Sequence, residues 1–158
     1  MLSLTKKTDY ALIAMGYLAE HRSDTVSARE IAEAFNMPAA LVMNILKTLH
    51  HAGLLSSTRG TKGGYRLITE LERISMHDLI QVLEGPVRLA ECVIVANERD
   101  TCGWEGPCKI GKGCPIQAPI KALHGKLVSF LQDTKLSDVL GLEEERHARS
   151  GRAAAAVI

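Results

Sequence analysis

Gly53-Leu-Leu-Ser-Ser-Thr-Arg-Gly-Thr-Lys-Gly-Gly-Tyr-Arg-Leu67 places two short stretches of strand character on either side of a glycine-rich, cationic tip. Leu54 to Arg59 and Tyr65 to Leu67 read as the strands of a hairpin, with Gly60-Thr-Lys-Gly-Gly64 as its turn. Three helical segments precede it. Lys6 to about His21 carries Leu12, Ile13, Met15 and Leu18 on its inward side, with Thr5 or Thr8 available as a cap. Ser27-Ala-Arg-Glu30 has capping-box spacing and opens a short second helix holding Ile31, Ala32 and Phe35. Asn36-Met-Pro38 makes a turn, Pro38 suits a first helical position, and a third helix runs to roughly His51, with Gly53 placed for a left-handed C-cap. Leu41, Ile45, Leu46 and Leu49 form its inner stripe, leaving Ala39, Ala40, Met43, Asn44 and Lys47 outside. Three helices followed by a hairpin predict a winged helix-turn-helix, whose third helix enters a major groove while the wing reaches the adjoining one.

Downstream, Ser75 caps a fourth helix with Leu79, Ile80 and Leu83 inside, and Gly85-Pro86 stops it. Ile116, Ile120, Leu123, Leu127 and Phe130 step by four, three, four and three residues, a coiled-coil-like seam. Proline disfavours helical angles in the residue before it, so regular helix is expected from near Pro119. Leu136 to Leu140 adds one short turn, and the alanine-rich, charged stretch from Glu143 to Ile158 reads as a frayed tail. The expected fold is mainly α with a small β-hairpin wing. Its parts are residues 1–85 as a winged helix-turn-helix, 86–115 as a cysteine-rich segment, 116–142 as a long C-terminal helix, and 143–158 as a flexible tail.

The formal charge of +1 conceals an uneven distribution: residues 1–67 hold eight Lys/Arg against five Asp/Glu, the remainder eleven against thirteen. No carboxylate occurs from Ala34 to Thr69, a span carrying Lys47, Arg59, Lys62 and Arg66 together with His50 and His51. A solvated surface normally mixes both signs, so the missing acids point to a polyanionic partner, here double-stranded DNA. Small Ala39 and Ala40 permit close approach to a groove, with Met43 beside them; Asn44 offers donor and acceptor to a base edge, and Lys47 reaches phosphate. Arg59, Thr61 and Lys62 serve the backbone from the wing, and His50 and His51 read as near-phosphate or plain surface residues. No apolar run approaches membrane length and the first residues lack a signal-peptide layout, which predicts a cytoplasmic protein with reduced thiols.

All four cysteines, Cys92, Cys102, Cys108 and Cys114, lie between Pro86 and Cys114, in a segment without helical or strand period. Nine, five and five residues intervene, whereas zinc knuckles need pairs two to four apart. An iron–sulphur cluster tolerates wider loops and gains from backbone amides turned towards its sulphides, which Gly103, Gly106, Gly111 and Gly113 favour. Structural zinc, a thiol redox switch and small buried cysteines are the competing readings. Trp104 stands where it would shield a cluster or sit exposed in the loop. No paired acid and base and no nucleotide-binding fingerprint is present, since Gly60 to Gly64 lacks Walker spacing; an enzyme is not expected.

Lys6-Lys-Thr-Asp-Tyr-Ala11, the segment from Gly53 to Leu67, and a cysteine loop before a long helix together resemble the IscR/NsrR regulators, the Rrf-two type family, over about residues 1–142. The resemblance implies a homodimeric winged-helix repressor or activator whose long C-terminal helices pair and hold a [2Fe-2S] or [4Fe-4S] cluster beside the interface. It would bind a palindromic operator and sense nitric oxide, redox state or cluster supply. Carried over by residue, Cys92, Cys108 and Cys114 match the family's three cysteines, whereas Cys102 has no counterpart. The histidine that IscR carries three residues after its third cysteine is Gln117 here, and Asp9 stands where NsrR-like members place an acid reaching from the partner subunit. The fourth ligand is thus Cys102 or the partner subunit's Asp9.

Overall fold

The computed structural model describes residues 4–60, 63–90, 93 and 114–141. Thr61, Lys62, Cys92, Cys102, Trp104, Cys108 and the tail 143–158 lie outside the described residues.

Helix α1 spans Lys6–Glu20 and is capped by Thr5, whose hydroxyl accepts from the Lys7 amide at 3.2 Å. A cap of this kind contributes about 1 kcal/mol. Its buried stripe is Thr8, Ala11, Ala14, Met15 and Leu18, rather than Leu12 and Ile13, which are half-buried at its flanks. The two alanines lower that face, so α1 can lie close against its neighbours while the larger side chains fill the margins.

Helix α2, Ala28–Ala34, is capped by Ser27, which accepts from the Glu30 amide at 3.1 Å. Only half of the expected box forms. The Glu30 carboxylate instead accepts from the Tyr17 hydroxyl at 3.4 Å, a tertiary partner that spacing alone does not reveal. Helix α3, Ala39–His51, starts one residue later than expected, with Pro38 as its cap. Gly53 closes it at φ +76°, donating to His50 O at 2.9 Å while Leu54 donates to Leu49 O at 3.0 Å. That is the Schellman arrangement, with glycine in the left-handed position.

Strands β1, Leu55–Thr58, and β2, Gly64–Leu67, pair antiparallel with Leu55 opposite Leu67 and Ser57 opposite Tyr65. A third line of backbone joins them: Val26 and Tyr65 exchange hydrogen bonds of 3.0 and 2.7 Å. Gly64 is required there, because a Cβ would lie 2.3 Å from Val26 O. Helix α4, Met76–Glu84, opens on a complete Ser75/Asp78 capping box and ends at Gly85, φ +85°.

Helix α5 covers Gln117–Asp133, beginning before Pro119 instead of at it. A proline in the first turn forfeits no intrahelical bond, since those amides have no partner within the helix. None of its residues is buried. The seam divides: Ile120 and Leu127 are half-buried, Leu127 and Leu131 packing on the core, while Ile116, Leu123 and Phe130 stay 60, 54 and 65% exposed. The chain then returns to the start of α4, where Met76 donates to Thr134 O at 2.9 Å and Leu136 to Ile74 O at 3.0 Å. Leu136, first residue of the single turn α6 (Leu136–Val139), is fully buried. One core gathers Met15, Leu18, Ile31, Ile45, Leu46, Leu49, Leu55, Leu71 and Leu79 with it.

Candidate functional site

The apolar stripe of α3 fixes which side chains remain outside. Val42, Ile45, Leu46 and Leu49 are buried, and Leu41 is half-buried. The opposite face exposes Ala39, Ala40, Asn44 and Lys47, and Met43 at 38%. These are the residues expected to approach a groove, and they share one exposed helical surface. Arg59 is exposed at the end of β1. Thr61 and Lys62, the remaining wing candidates, fall outside the described residues.

His50 departs from its expected role as a surface or near-phosphate residue. It is half-buried, with Nδ1 2.8 Å from Leu55 O and Nε2 3.2 Å from Ser57 Oγ. The tight turn at Gly53 folds β1 back alongside the end of α3, which brings a residue five positions later within reach of the ring. Tyr65, not singled out by sequence, donates its hydroxyl to Met43 Sδ at 3.8 Å. Its place as the first residue after the glycine tip is visible in the sequence; that it pairs opposite Ser57 is seen only in the structure.

The first turn of α1 is tied to the last turn of α4, which precedes the cysteine segment in the chain. The Glu84 carboxylate accepts from Thr5 Oγ1 at 2.7 Å, from the Thr5 amide at 3.3 Å and from the Thr8 hydroxyl, and Lys7 Nζ donates to Leu83 O. Burial would raise the pKa of Glu84, but the bonds from Thr8 and Thr5 and the nearby Lys7 ammonium outweigh it and hold the carboxyl below its usual range. Asp9, one turn beyond Thr5, is exposed.

Cys114 is half-buried with a free thiol just before α5, and its carbonyl accepts from the Gln117 amide at 3.3 Å. Among the described residues no three His, Cys, Asp or Glu side chains are gathered to hold a metal. Cys92, Cys102 and Cys108 lie outside them. The described donors are of a kind that iron accepts, a thiol and a solvent-facing carboxylate, and Gln117 offers no imidazole. Among the described residues no helix is long and apolar enough to cross a membrane.

Comparison with known proteins accords with this arrangement. The family model Rrf2, described as an iron-dependent transcriptional regulator, matches residues 4–141. Protein aau3 of Rhizobium meliloti (strain 1021) is 29% identical over 153 residues, covering 90% of this chain and 94% of its own. The structure of CymR, the global cysteine regulator of B. subtilis, superposes with a TM-score of 0.58 at 30% identity, covering 90% of this chain and 98% of that one. IscR of T. potens gives a TM-score of 0.63 at 26% identity, covering 92% and 90%. With three helices, a paired wing and a long following helix, this chain belongs to the Rrf2 family and is a winged-helix transcriptional regulator, not an enzyme.

Proposed function

We propose that this regulator is a cytoplasmic homodimer that binds a palindromic operator, and that an iron–sulphur cluster governs the binding. The observation carrying the DNA part is the exposed face of α3, with Ala39, Ala40, Asn44 and Lys47 together and no carboxylate between Ala34 and Thr69. In this reading Asn44 meets base edges, Lys47, Arg59 and Lys62 meet phosphates, and Thr61 supports the wing contact. Residues 1–85 form the DNA-binding unit, 86–115 the sensing segment and 116–142 the pairing helix.

Pairing is supported by the outward row Ile116, Leu123 and Phe130, spaced by seven residues along α5. Burying such side chains against a second copy contributes roughly 1–2 kcal/mol each. A two-fold dimer would present two α3 helices to two half-sites, which is the geometry a palindrome requires.

Cys92, Cys108 and Cys114, with Cys102 or the partner subunit's Asp9, would hold a [2Fe-2S] or [4Fe-4S] cluster. Bound there, it would supply a centre open to oxidation and to nitric oxide. The chain's own part is mechanical. Cys114 sits at the entry to α5, α5 packs on the core through Leu127 and Leu131, and Glu84 fastens the origin of the cysteine segment to α1. A change in how Cys114 is held therefore shifts the relation of α5 to the DNA-binding helices, and the spacing of the two α3 helices with it.

The experiment is anaerobic purification followed by absorption spectroscopy, iron and sulphide analysis, and operator binding before and after cluster removal. Visible absorption with matching iron and sulphide, and operator affinity that changes on removal, are expected. Colourless protein with stoichiometric zinc would replace the cluster with a structural metal. The likeness to CymR, named as a global cysteine regulator, favours a thiol switch as the second reading. In that case affinity would follow reversible cysteine oxidation without iron.

A further inference from the structure

We propose that His50 and Tyr65 are positioning residues that clamp the wing to α3 and set the separation at which the two elements meet DNA, an inference that rests on the DNA interface proposed above. Alternation along a strand places Leu55 and Ser57 on one face of β1, and the register puts Leu67 and Tyr65 on the same face of β2. Leu55 and Leu67 are buried and root the base of the hairpin in the core. Ser57 and Tyr65 form the next rung towards the tip, beyond the reach of that apolar anchor. Two strands alone hold their direction poorly.

Helix α3 grips that rung at two places, Met43 and His50, seven residues and therefore two turns apart on one side of the helix. The Leu55 carbonyl can only accept, so His50 Nδ1 at 2.8 Å carries the hydrogen. In the neutral ring Nε2 then has a lone pair, which accepts from the Ser57 hydroxyl at 3.2 Å. Tyr65 completes the second grip: its hydroxyl donates to Met43 Sδ at 3.8 Å, and its ring lies edgewise to His50, with centroids 6.4 Å apart. The backbone of Tyr65 is held independently by Val26, through bonds of 3.0 and 2.7 Å. The strands of the wing are thus fixed from both sides, at Ser57 and Tyr65. Specific recognition needs base contacts on α3 and phosphate contacts on the wing at the same time. Non-specific binding needs only charge.

The test compares wild type with Tyr65→Phe, which removes one hydroxyl, and His50→Asn, which retains a donor near the Nδ1 position but has no acceptor near Nε2. Two probes are used: a duplex that the wild-type protein recovers from a random-sequence pool, and the random pool itself. Each variant should bind the recovered duplex about 3- to 10-fold more weakly, the loss of one hydrogen bond, with affinity for the random pool within about 2-fold and the melting temperature lowered by no more than about 2–8 °C. Equal losses on both probes, or none on either, would overturn the clamp. Nitrogen-15 spectra of the wild-type protein supply a measurement independent of any variant: His50 should be the Nδ1–H tautomer, and the Nε2–H form would overturn the assignment. Lys47→Ala and Arg59→Ala serve as controls. If neither affects either probe, it is the DNA interface that is misplaced, and the clamp falls with it for a distinguishable reason.

Discussion

Replacing Gly64 with alanine should strike the wing harder than any other single methyl added to this chain's described glycines outside the wing. The new Cβ would sit 2.3 Å from Val26 O, 2.6 Å from Val26 C and 3.0 Å from Ser27 N, all backbone atoms without rotamers to turn aside. Ordinary contact requires more than 3.4 Å, so the strand and the Val26 segment must part by about 1 Å. That displacement breaks the two bonds between Val26 and Tyr65. Two lost backbone hydrogen bonds at ~0.5–1.5 kcal/mol each, with overpacking of ~1–3 kcal/mol, give a loss of about 2–6 kcal/mol. Urea unfolding followed by circular dichroism measures it as a lower midpoint at constant slope. Gly125→Ala is the contrasting case. Gly125 lies within α5 with open space around the added methyl, so helix propensity alone should raise stability by ~0.5–1 kcal/mol. A Gly64→Ala protein within about 1 kcal/mol of wild type would refute the reasoning, because backbone that yields so cheaply could not be holding Tyr65 in place.

Three further outcomes follow from the same contacts. Glu84 is held below its ordinary value of 4.5, so the folded chain takes up that proton less readily than the unfolded one. Its contribution is complete above pH 4.5 and is lost as pH falls through the lower folded value; Glu84→Gln should therefore differ most from wild type near neutrality and converge with it in acid, as read from urea midpoints across pH. Lys47→Ala and Arg59→Ala should each reduce the slope of log affinity against log salt by about 1, measured by fluorescence anisotropy on duplex DNA. Leu123→Glu together with Phe130→Glu should convert a dimer into a monomer in sedimentation experiments while leaving the circular dichroism of the fold intact, since both side chains project from the protomer.

Local chemistry was readable wherever one short segment contains both partners of an interaction. Ser75 and Asp78, Ser27 and the Glu30 amide, and the glycine closing α3 are of this kind, each complete within four residues or so. The hairpin was equally legible, because strand formers on either side of a glycine tip have few alternatives. What escaped depends on distant parts of the chain. The buried side of α1 follows Ala11 and Ala14 instead of Leu12 and Ile13, since close approach of helices selects small residues that hydrophobicity ranks below leucine. Glu30 leaves its capping box for Tyr17, thirteen residues earlier, and Val26 extends the hairpin from a loop without strand pattern. His50 was read from its basic surroundings, although its ring bonds depend on the path of the turn after α3. The exposed residues of α3 were recognisable because exposure follows directly from helical periodicity, whereas the side chains packed beside them were not.

Leu127 and Leu131, packed on the core, hold the C-terminal half of α5 and leave its N-terminal half as a lever. Beyond them Leu136 is anchored by full burial and by its amide, which donates to Ile74 O, while Cys114 stands at the opposite end of the rod. At 1.5 Å per residue, Ile116 lies about 16 Å from Leu127 and Leu123 about 6 Å. A small rotation begun at the thiol end would therefore carry Ile116 roughly three times as far as Leu123. The outward row would open like a hinge from its far tip, keeping its grip nearest the fulcrum.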